Sequence, residues 1–555
     1  MEFVRTEVDG VPTFWAQAES GLHAGLVIRV GRADETFARG GISHLVEHLV
    51  LHQVGQTDYH FNGATGPITT TFFTQGDPGE VAHFFGAVCR ALWELPMDRL
   101  TTERGILRTE WSGRTRGVTD SLLRWRYGPA TYGLSAYAEF GLDDLAPDDL
   151  RSWVARWFTR GNAALWFAGG PPPPGLRLDL PDGPLMPVPA ASSALPRTPA
   201  FFGADMDGVA FDAVVRRASA ASVFAALLDR RMHATLRRER GASYAAWATY
   251  QPRDGEYGTV TAAADALQDK QDEVTAAFVD VLTDIAAGIV AEDDLEAVRA
   301  QARDALCRPG AAGALVPAAA TNLLTGTPIL TPAQAWDEVE AVSIEHVRTV
   351  AEQALASGLL MVSAGQSVGR AGFVAAPAWS SNTVTGKSFK SLDYPADRRR
   401  LLIGADGVSL VEGRQVATVR YAECVGMLSW ADGARSLFGP DAINVHVEPR
   451  LWRLPRGALE GVDTAIPPDR VAHMPDRPAE SLPRPSTSRS ERLRTHLRPY
   501  LTRRVVAPVV VVTALLGLIL ALPRSNGPVE VGPALTSGLL IGLLGVAMRL
   551  LSRRR

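Results

Sequence analysis

The chain has 555 residues, enough for three to four domains at roughly 150 residues each. Hydrophobic residues make up 46% and charged residues 21%, which excludes a collagen-like, disordered or polytopic membrane protein for the bulk of it. A formal net charge of −4, from 56 basic and 60 acidic residues, argues against a basic nucleic-acid binder, so no nucleic-acid partner is expected. Only three of the basic residues are Lys (Lys270, Lys387 and Lys390), and the excess of Arg, Ala and Gly reads as codon bias in a GC-rich bacterial genome.

Residues 1–30 carry Glu2, Arg5, Glu7 and Asp9 and lack an apolar run ending in a cleavage site, so they do not read as a signal peptide. Residues 22–30 read as a strand, 40–53 as a helix with Ser43 as a candidate cap, and 69–74 as a second, β-branched and aromatic strand. Helical periodicity follows over 81–95 and 101–116, then an apolar strand over 163–168. Residues 171–199 open on a Gly- and Pro-rich run and read as a linker between a first unit, 1–170, and a second, 200–366. The second unit repeats the pattern: strands over 209–216, 243–250 and 256–263, helices from 219, over 269–289, 292–306 and 345–356, and a closing strand, 359–363. Two successive α+β units suggest an internal duplication.

Residues 388–453 change character, with short β-rich segments punctuated by Asp406-Gly407, Glu412-Gly413 and Asp432-Gly433, as expected of a small antiparallel barrel or sandwich. It has no catalytic constellation; a lipid- or partner-binding barrel of the pleckstrin-homology type and a passive spacer both fit. Residues 454–504 are Pro- and Arg-rich and read as a tether. Residues 505–522 and 531–548 are two apolar stretches of a length that crosses ~30 Å of hydrocarbon, joined by a short turn-rich loop and flanked outside by Arg clusters. They read as a transmembrane hairpin with both flanks cytoplasmic; the alternative is a buried hairpin of a soluble domain. Cys89, Cys307 and Cys424 are widely spaced, which suggests a reducing compartment without a disulfide framework. The expected location is a bacterial inner membrane, with the soluble domains facing the cytoplasm.

The sharpest chemical signal is His44-Leu45-Val46-Glu47-His48. On a helix, His44 and His48 share one face, where two imidazole nitrogens can reach one metal at about 2.0 to 2.1 Å. Glu47 then sits beside the metal and can take a proton from water. Catalytic zinc uses three protein ligands and an open position, so a third ligand is expected downstream. Glu103 and Glu110 lie two helical turns apart on one face.

An HxxEH string followed by Glu103-Arg104 and Glu110 resembles the pitrilysin-like family of zinc metallopeptidases, whose zinc motif is inverted. The resemblance implies one Zn²⁺ held by His44, His48 and Glu110, with Glu103 orienting a ligand from outside the coordination set and Glu47 as the base. Asn62 and the strand carrying Thr71, Phe72 and Phe73 resemble the family's active-site edge strand, which holds peptide substrate by β-addition. In the second unit, Arg237 and Tyr244 resemble a pair that grips the substrate carbonyl from the opposite half of the chamber, although singly they also read as a solvated helix residue and a strand filler. The implied fold is two tandem pitrilysin-like domains. The family's chamber has four such domains and this chain has two, so a homodimer or a paralogous heterodimer is expected. The alternative function is an inactive scaffold or partner subunit at the membrane.

Overall fold

The computed structural model describes residues 2–18, 21–55 and 60–486. The first half builds a six-stranded sheet from β1 (Val4–Val8), β2 (Val11–Ala16), β3 (Leu22–Ile28), β4 (His60–Thr65), β5 (Thr70–Gly76) and β6 (Ala163–Ala168), in the spatial order β1-β2-β6-β3-β5-β4. Its helices are α1 (Ile42–Val54), α2 (Pro78–Trp93), α3 (Leu100–Gly113), α4 (Val118–Tyr127) and α5 (Pro147–Trp157). The start of α2 follows from its sequence: Pro78 fills the first turn, and Asp77 and Glu80 cap each other's backbone N–H.

The second half repeats this plan. Its sheet comprises β7 (Ala200–Ala204), β8 (Gly208–Arg216), β9 (Ala246–Pro252), β10 (Tyr257–Asp265), β11 (Leu359–Ser363) and β12 (Val374–Ala375), in the order β12-β7-β11-β8-β10-β9. The helices are α6 (Ser219–Met232), α7 (Gln271–Ala286), α8 (Glu292–Cys307), α9 (Ala311–Thr325), α10 (Pro332–Glu340) and α11 (Ile344–Ser357). Strands β2, β6, β3, β5 and β4 correspond in order and pairing sense to β7, β11, β8, β10 and β9.

Each half lends a helix to the other's sheet. Helix α9 lays Ala312, Val316, Ala319 and Ala320 on Phe14, Val27 and Ala164 of the first sheet. Helix α4 sets Leu122 among Phe202, Ala210 and Met361 of the second, and Trp125 stacks on Phe202 at 4.7 Å. Both sheets are therefore covered on two faces, which is why β11 reads as an apolar run and β8 as one interrupted in its middle by Asp212. A buried ion pair closes the exchange: Arg126 Nε donates to the Asp212 carboxylate and Arg126 Nη2 to the Asp212 carbonyl at 2.7 Å.

Two four-stranded sheets follow. One is the meander β13 (Gly386–Lys390), β14 (Arg400–Gly404), β15 (Gly407–Glu412) and β16 (Gln415–Arg420). The other holds β17 (Gly426–Trp430), β18 (Arg435–Phe438), β19 (Asn444–Val447) and, after α12 (Glu460–Ala465), β20 (Val471–Met474), in the order β19-β18-β17-β20. They share a core that includes Leu401, Val419, Met427, Val445 and Ile466. This corrects the reading of 454–504 as tether from its first residue. Val462 and Ile466 are buried in that core and β20 pairs in parallel with β17, so short apolar positions hidden in a Pro- and Arg-rich composition continue the module to at least residue 474. A separate small unit holds Ser391–Arg398 and residues 484–486; in it Ser486 donates through its N–H and Oγ to Asp393.

No helix among the described residues is long and apolar enough to cross a membrane. The two apolar stretches, 505–522 and 531–548, lie outside the described residues.

Candidate metal centre

Helix α1 carries the HxxEH string and starts without a side-chain cap of its own. Gly41 precedes it in the left-handed region, at φ 103°, and Ser43 lies inside the first turn with a buried hydroxyl. The expected capping by Ser43 is thus corrected: Glu35 accepts hydrogen bonds from the Gly41 and Ser43 N–H groups at 2.8 and 2.9 Å and does the work of a cap from the preceding loop. Leu45, Val46, Leu49 and Val50 bury the opposite face of α1, which leaves His44, Glu47 and His48 turned to one side.

Helix α3 packs beside α1 and presents Glu103 and Glu110 on the face that also buries Leu107. The Glu110 Oε2 atom lies 3.9 Å from His44 Nε2 and 3.7 Å from His48 Nε2. The other nitrogen of each ring is engaged: His44 Nδ1 is 2.9 Å from Glu139 Oε1, and His48 Nδ1 is 3.4 Å from Glu103 Oε2. Both Nε2 atoms are thereby aimed at Glu110. Among the described residues, His44, His48 and Glu110 are the one group of three such side chains whose donor atoms, all within 4.8 Å of one another, could hold a metal ion.

Glu47 is buried next to this group, between α1 and β4. Thr65 Oγ1 donates to its Oε2 at 2.6 Å, and a Cβ on Gly63 would lie 2.6 Å from its Oε1. Burial pushes the Glu47 carboxyl up, against the Thr65 hydrogen bond and the two imidazoles. For Glu139, burial acts in the same direction but is outweighed by the hydrogen bond to His44 and the adjacent Arg32 guanidinium, which hold the carboxyl below its ordinary range. His44 is raised: burial disfavours its cation, yet the hydrogen bond and charge of Glu139 overcome that cost. The outer partners Glu35 and Glu139 escape sequence reasoning, because neither stands at helical spacing from the motif.

The sheet edge beside α1 is β4, which carries Asn62 exposed to solvent. This corrects the assignment of Thr71, Phe72 and Phe73 to an edge. Their strand, β5, pairs with β3 on one side and β4 on the other, and Phe72 is wholly buried. The family resemblance covered both segments together, and the pairing makes the Gly-containing β4 the border.

Arg237 stands in a π-helical turn, His233–Glu239, with its guanidinium 5.2 Å over the ring of Tyr244, which is 79% exposed. Asp265 fixes the Tyr244 loop by accepting from Ser243 Oγ and from the Tyr244 and Ala245 N–H groups at 2.7 to 2.9 Å. Among the described residues, no hydrogen bond or ion pair joins Arg237 or Tyr244 to the His44, His48 and Glu110 group.

No protein-family model matches the chain, and no curated protein matches it in sequence. Solved structures do resemble it. An inactive domain of an M16 peptidase from Pseudomonas fluorescens aligns at 11% identity and a TM-score of 0.55, over 65% of this chain and 98% of that one. A chain of complex III2 from Candida albicans aligns at 13% identity and a TM-score of 0.54, over 65% and 95%. The periplasmic protease PqqL from Escherichia coli aligns at 12% identity and a TM-score of 0.54, over 79% of this chain but 55% of that one, so this chain matches about half of PqqL. At these identities the likeness is one of fold, and the chain has the mixed α+β fold of M16, pitrilysin-like peptidase domains, a fold found in proteases and in an inactive domain alike.

Proposed function

We propose that the chain is a zinc metalloendopeptidase, with His44, His48 and Glu110 as ligands and Glu47 as the general base. The observation that carries this reading is the pairing of both Nδ1 atoms with carboxylates, which leaves two Nε2 atoms and Glu110 Oε2 to converge. The donor set fits zinc: two imidazoles and one carboxylate are the ligand types of a catalytic site, and a tetrahedral ion at about 2.0 to 2.1 Å spaces its ligands by roughly 3.4 Å, near the observed separations. When bound, zinc would supply a Lewis acid that polarises the scissile carbonyl and acidifies water.

The chain's own residues supply the rest. Glu47 takes the proton of the attacking water and delivers it to the leaving amine, and burial, which raises its pKa, favours a group that must both accept and return a proton. Thr65 fixes its orientation. The free edge of β4 can take an extended peptide as an added strand. Arg237 and Tyr244 serve the zinc site of a second copy or a paralogous subunit, where they stabilise the carbonyl oxygen as it gains charge. The stretches 505–522 and 531–548 anchor the assembly in a bacterial inner membrane, with the described domains on the cytoplasmic side.

A second reading, an inactive scaffold subunit, is favoured by one finding, the likeness to an inactive M16 domain. Metal analysis and peptide turnover separate the two. The peptidase reading expects about one zinc per chain, turnover abolished by a chelator, and Glu47→Gln protein that keeps its zinc but loses turnover. Absence of zinc, with equal turnover in wild type and Glu47→Gln, would sink it.

A further inference from the structure

The loops that hold the metal group from behind are themselves held by the β-rich module. Glu35, at the head of α1, is followed two residues later by Phe37, and Glu139, on His44 Nδ1, is followed directly by Phe140. Gly141 N–H donates to the Gly40 carbonyl at 3.1 Å and ties these two loops together. Their aromatic rings then meet the second four-stranded sheet: Phe37 lies 5.2 Å from Phe140, 6.0 Å from Tyr137 and 4.7 Å from Phe438 of β18.

The approach is close along the whole seam. A Cβ on Gly426, at the start of β17, would lie 2.1 Å from Phe37 Cδ1, so only glycine allows the strand so near. Leu428 and Ala472 are buried in the same cluster as Phe37, Leu134 and Tyr137. At its rim, the backbone N–H and Nδ1 of His473 on β20 lie 2.5 and 3.1 Å from Asp144 Oδ2. Arg32 completes the link from within, bound to the Glu139 carboxylate and to the carbonyls of Leu134 and Tyr137.

We propose that the β17–β20 sheet is a docked brace for the metal site, in which Phe438 and Gly426 are positioning residues that keep Glu139 and Glu35 in register with α1. The inference rests on the reading of His44, His48 and Glu110 as zinc ligands. Packed interfaces transmit small shifts because they deform little, and the partners that orient a metal-bound imidazole control affinity. A ligand or partner that displaces this sheet would therefore loosen the zinc site without touching it.

The test uses the full chain as wild type, Phe438→Ala, Phe438→Leu and Asp144→Ala. Zinc affinity is measured by competition with a chromophoric chelator, and amide exchange over 134–144 is followed in metal-free protein. Phe438→Ala should weaken zinc about ten- to hundred-fold and speed exchange over 134–144, and Phe438→Leu should restore most of both. Asp144→Ala, at the partly exposed rim, should move both readouts the same way by less, and it decides the matter if Phe438→Ala fails to fold. Unchanged zinc affinity in the folded variants overturns the brace, even if exchange rises, because the sheet would then only cover apolar surface. A wild-type chain that takes up no zinc overturns the metal reading itself and the brace's role with it; normal zinc uptake by wild type isolates the failure to the brace.

Discussion

Glu139 Oε1 lies 2.9 Å from His44 Nδ1 across a separation of 95 residues, and the same carboxylate binds the Arg32 guanidinium. This one contact sets which imidazole nitrogen of His44 is left for a metal. Replacing Glu139 with Ala should weaken zinc by about ten- to hundred-fold, as read by chelator competition, while Glu139→Gln, which keeps an acceptor, should lose less. Equal affinity in wild type and Glu139→Ala would remove Glu139 from the site.

As the proposed base, Glu47 would have to be ionised to accept a proton, so turnover should fall as pH drops through its raised pKa. The Thr65 hydroxyl donates to the ionised form and holds that pKa lower than burial alone would set it. Removing it in Thr65→Val should shift the acid limb of the kcat/KM profile to higher pH and leave the alkaline side in place. A limb that stays put, or moves to lower pH, contradicts the assignment of Glu47 as base.

Gly63 stands on β4 where any side chain would collide with Glu47, at 2.6 Å from Oε1 and 2.7 Å from Cγ. Gly63→Ala should push the carboxylate aside and lower kcat by about a hundred-fold, the usual scale for a misplacement of about 1 Å, with zinc content unchanged. Loss of zinc instead would mean that the strand, not the base, had moved.

The site was legible in the sequence as far as helical spacing reaches. His44, Glu47 and His48 share one helix face, and Glu103 and Glu110 another, so periodicity alone puts each set together. Glu139 and Glu35 sit in irregular loops, where no period links them to the residues they hold. The sheet border was misassigned because it was carried over from the family resemblance: the segments around Asn62 and Phe72 are adjacent in sequence, and only the pairing, with β3 and β4 flanking β5, shows which of the two is outermost. Helices α4 and α9 face a sheet built by the other half, a tertiary fact no local pattern carries. The module's continuation through β20 was hidden by composition, since four strand residues among Pro and Arg look like tether.

The exchange of α4 and α9 makes the two halves dependent on each other. Asp212→Ala would leave Arg126, whose side chain is 8% exposed, buried without its counter-charge, at a cost of about 3 to 5 kcal/mol. Trp125→Ala, which removes the stacking of a partly buried ring on Phe202, should cost less, about 1 to 2 kcal/mol. Urea unfolding followed by tryptophan fluorescence and by far-UV circular dichroism should show one coincident transition for both halves, moved to lower denaturant in each variant. Separate transitions would mean that the shared helices contribute little.

Arg237 and Tyr244 lie together on the second half, with Tyr244 exposed and Asp265 holding its loop, but among the described residues no hydrogen bond or ion pair joins them to His44, His48 or Glu110. An exposed Tyr under a guanidinium, fixed by three hydrogen bonds to one carboxylate, is an ordered feature in search of a counterpart. If that counterpart is the metal group of a second copy, a chain lacking the base and a chain lacking the Tyr are each inactive but complementary. Co-refolding or co-expressing Glu47→Gln with Tyr244→Ala should then restore up to about a quarter of wild-type turnover per chain under random pairing of two sites, since one site in each mixed pair keeps both groups. Turnover no higher than either variant alone excludes completion by a second identical copy, and Tyr244→Ala with wild-type kinetics removes Tyr244 from the reaction altogether.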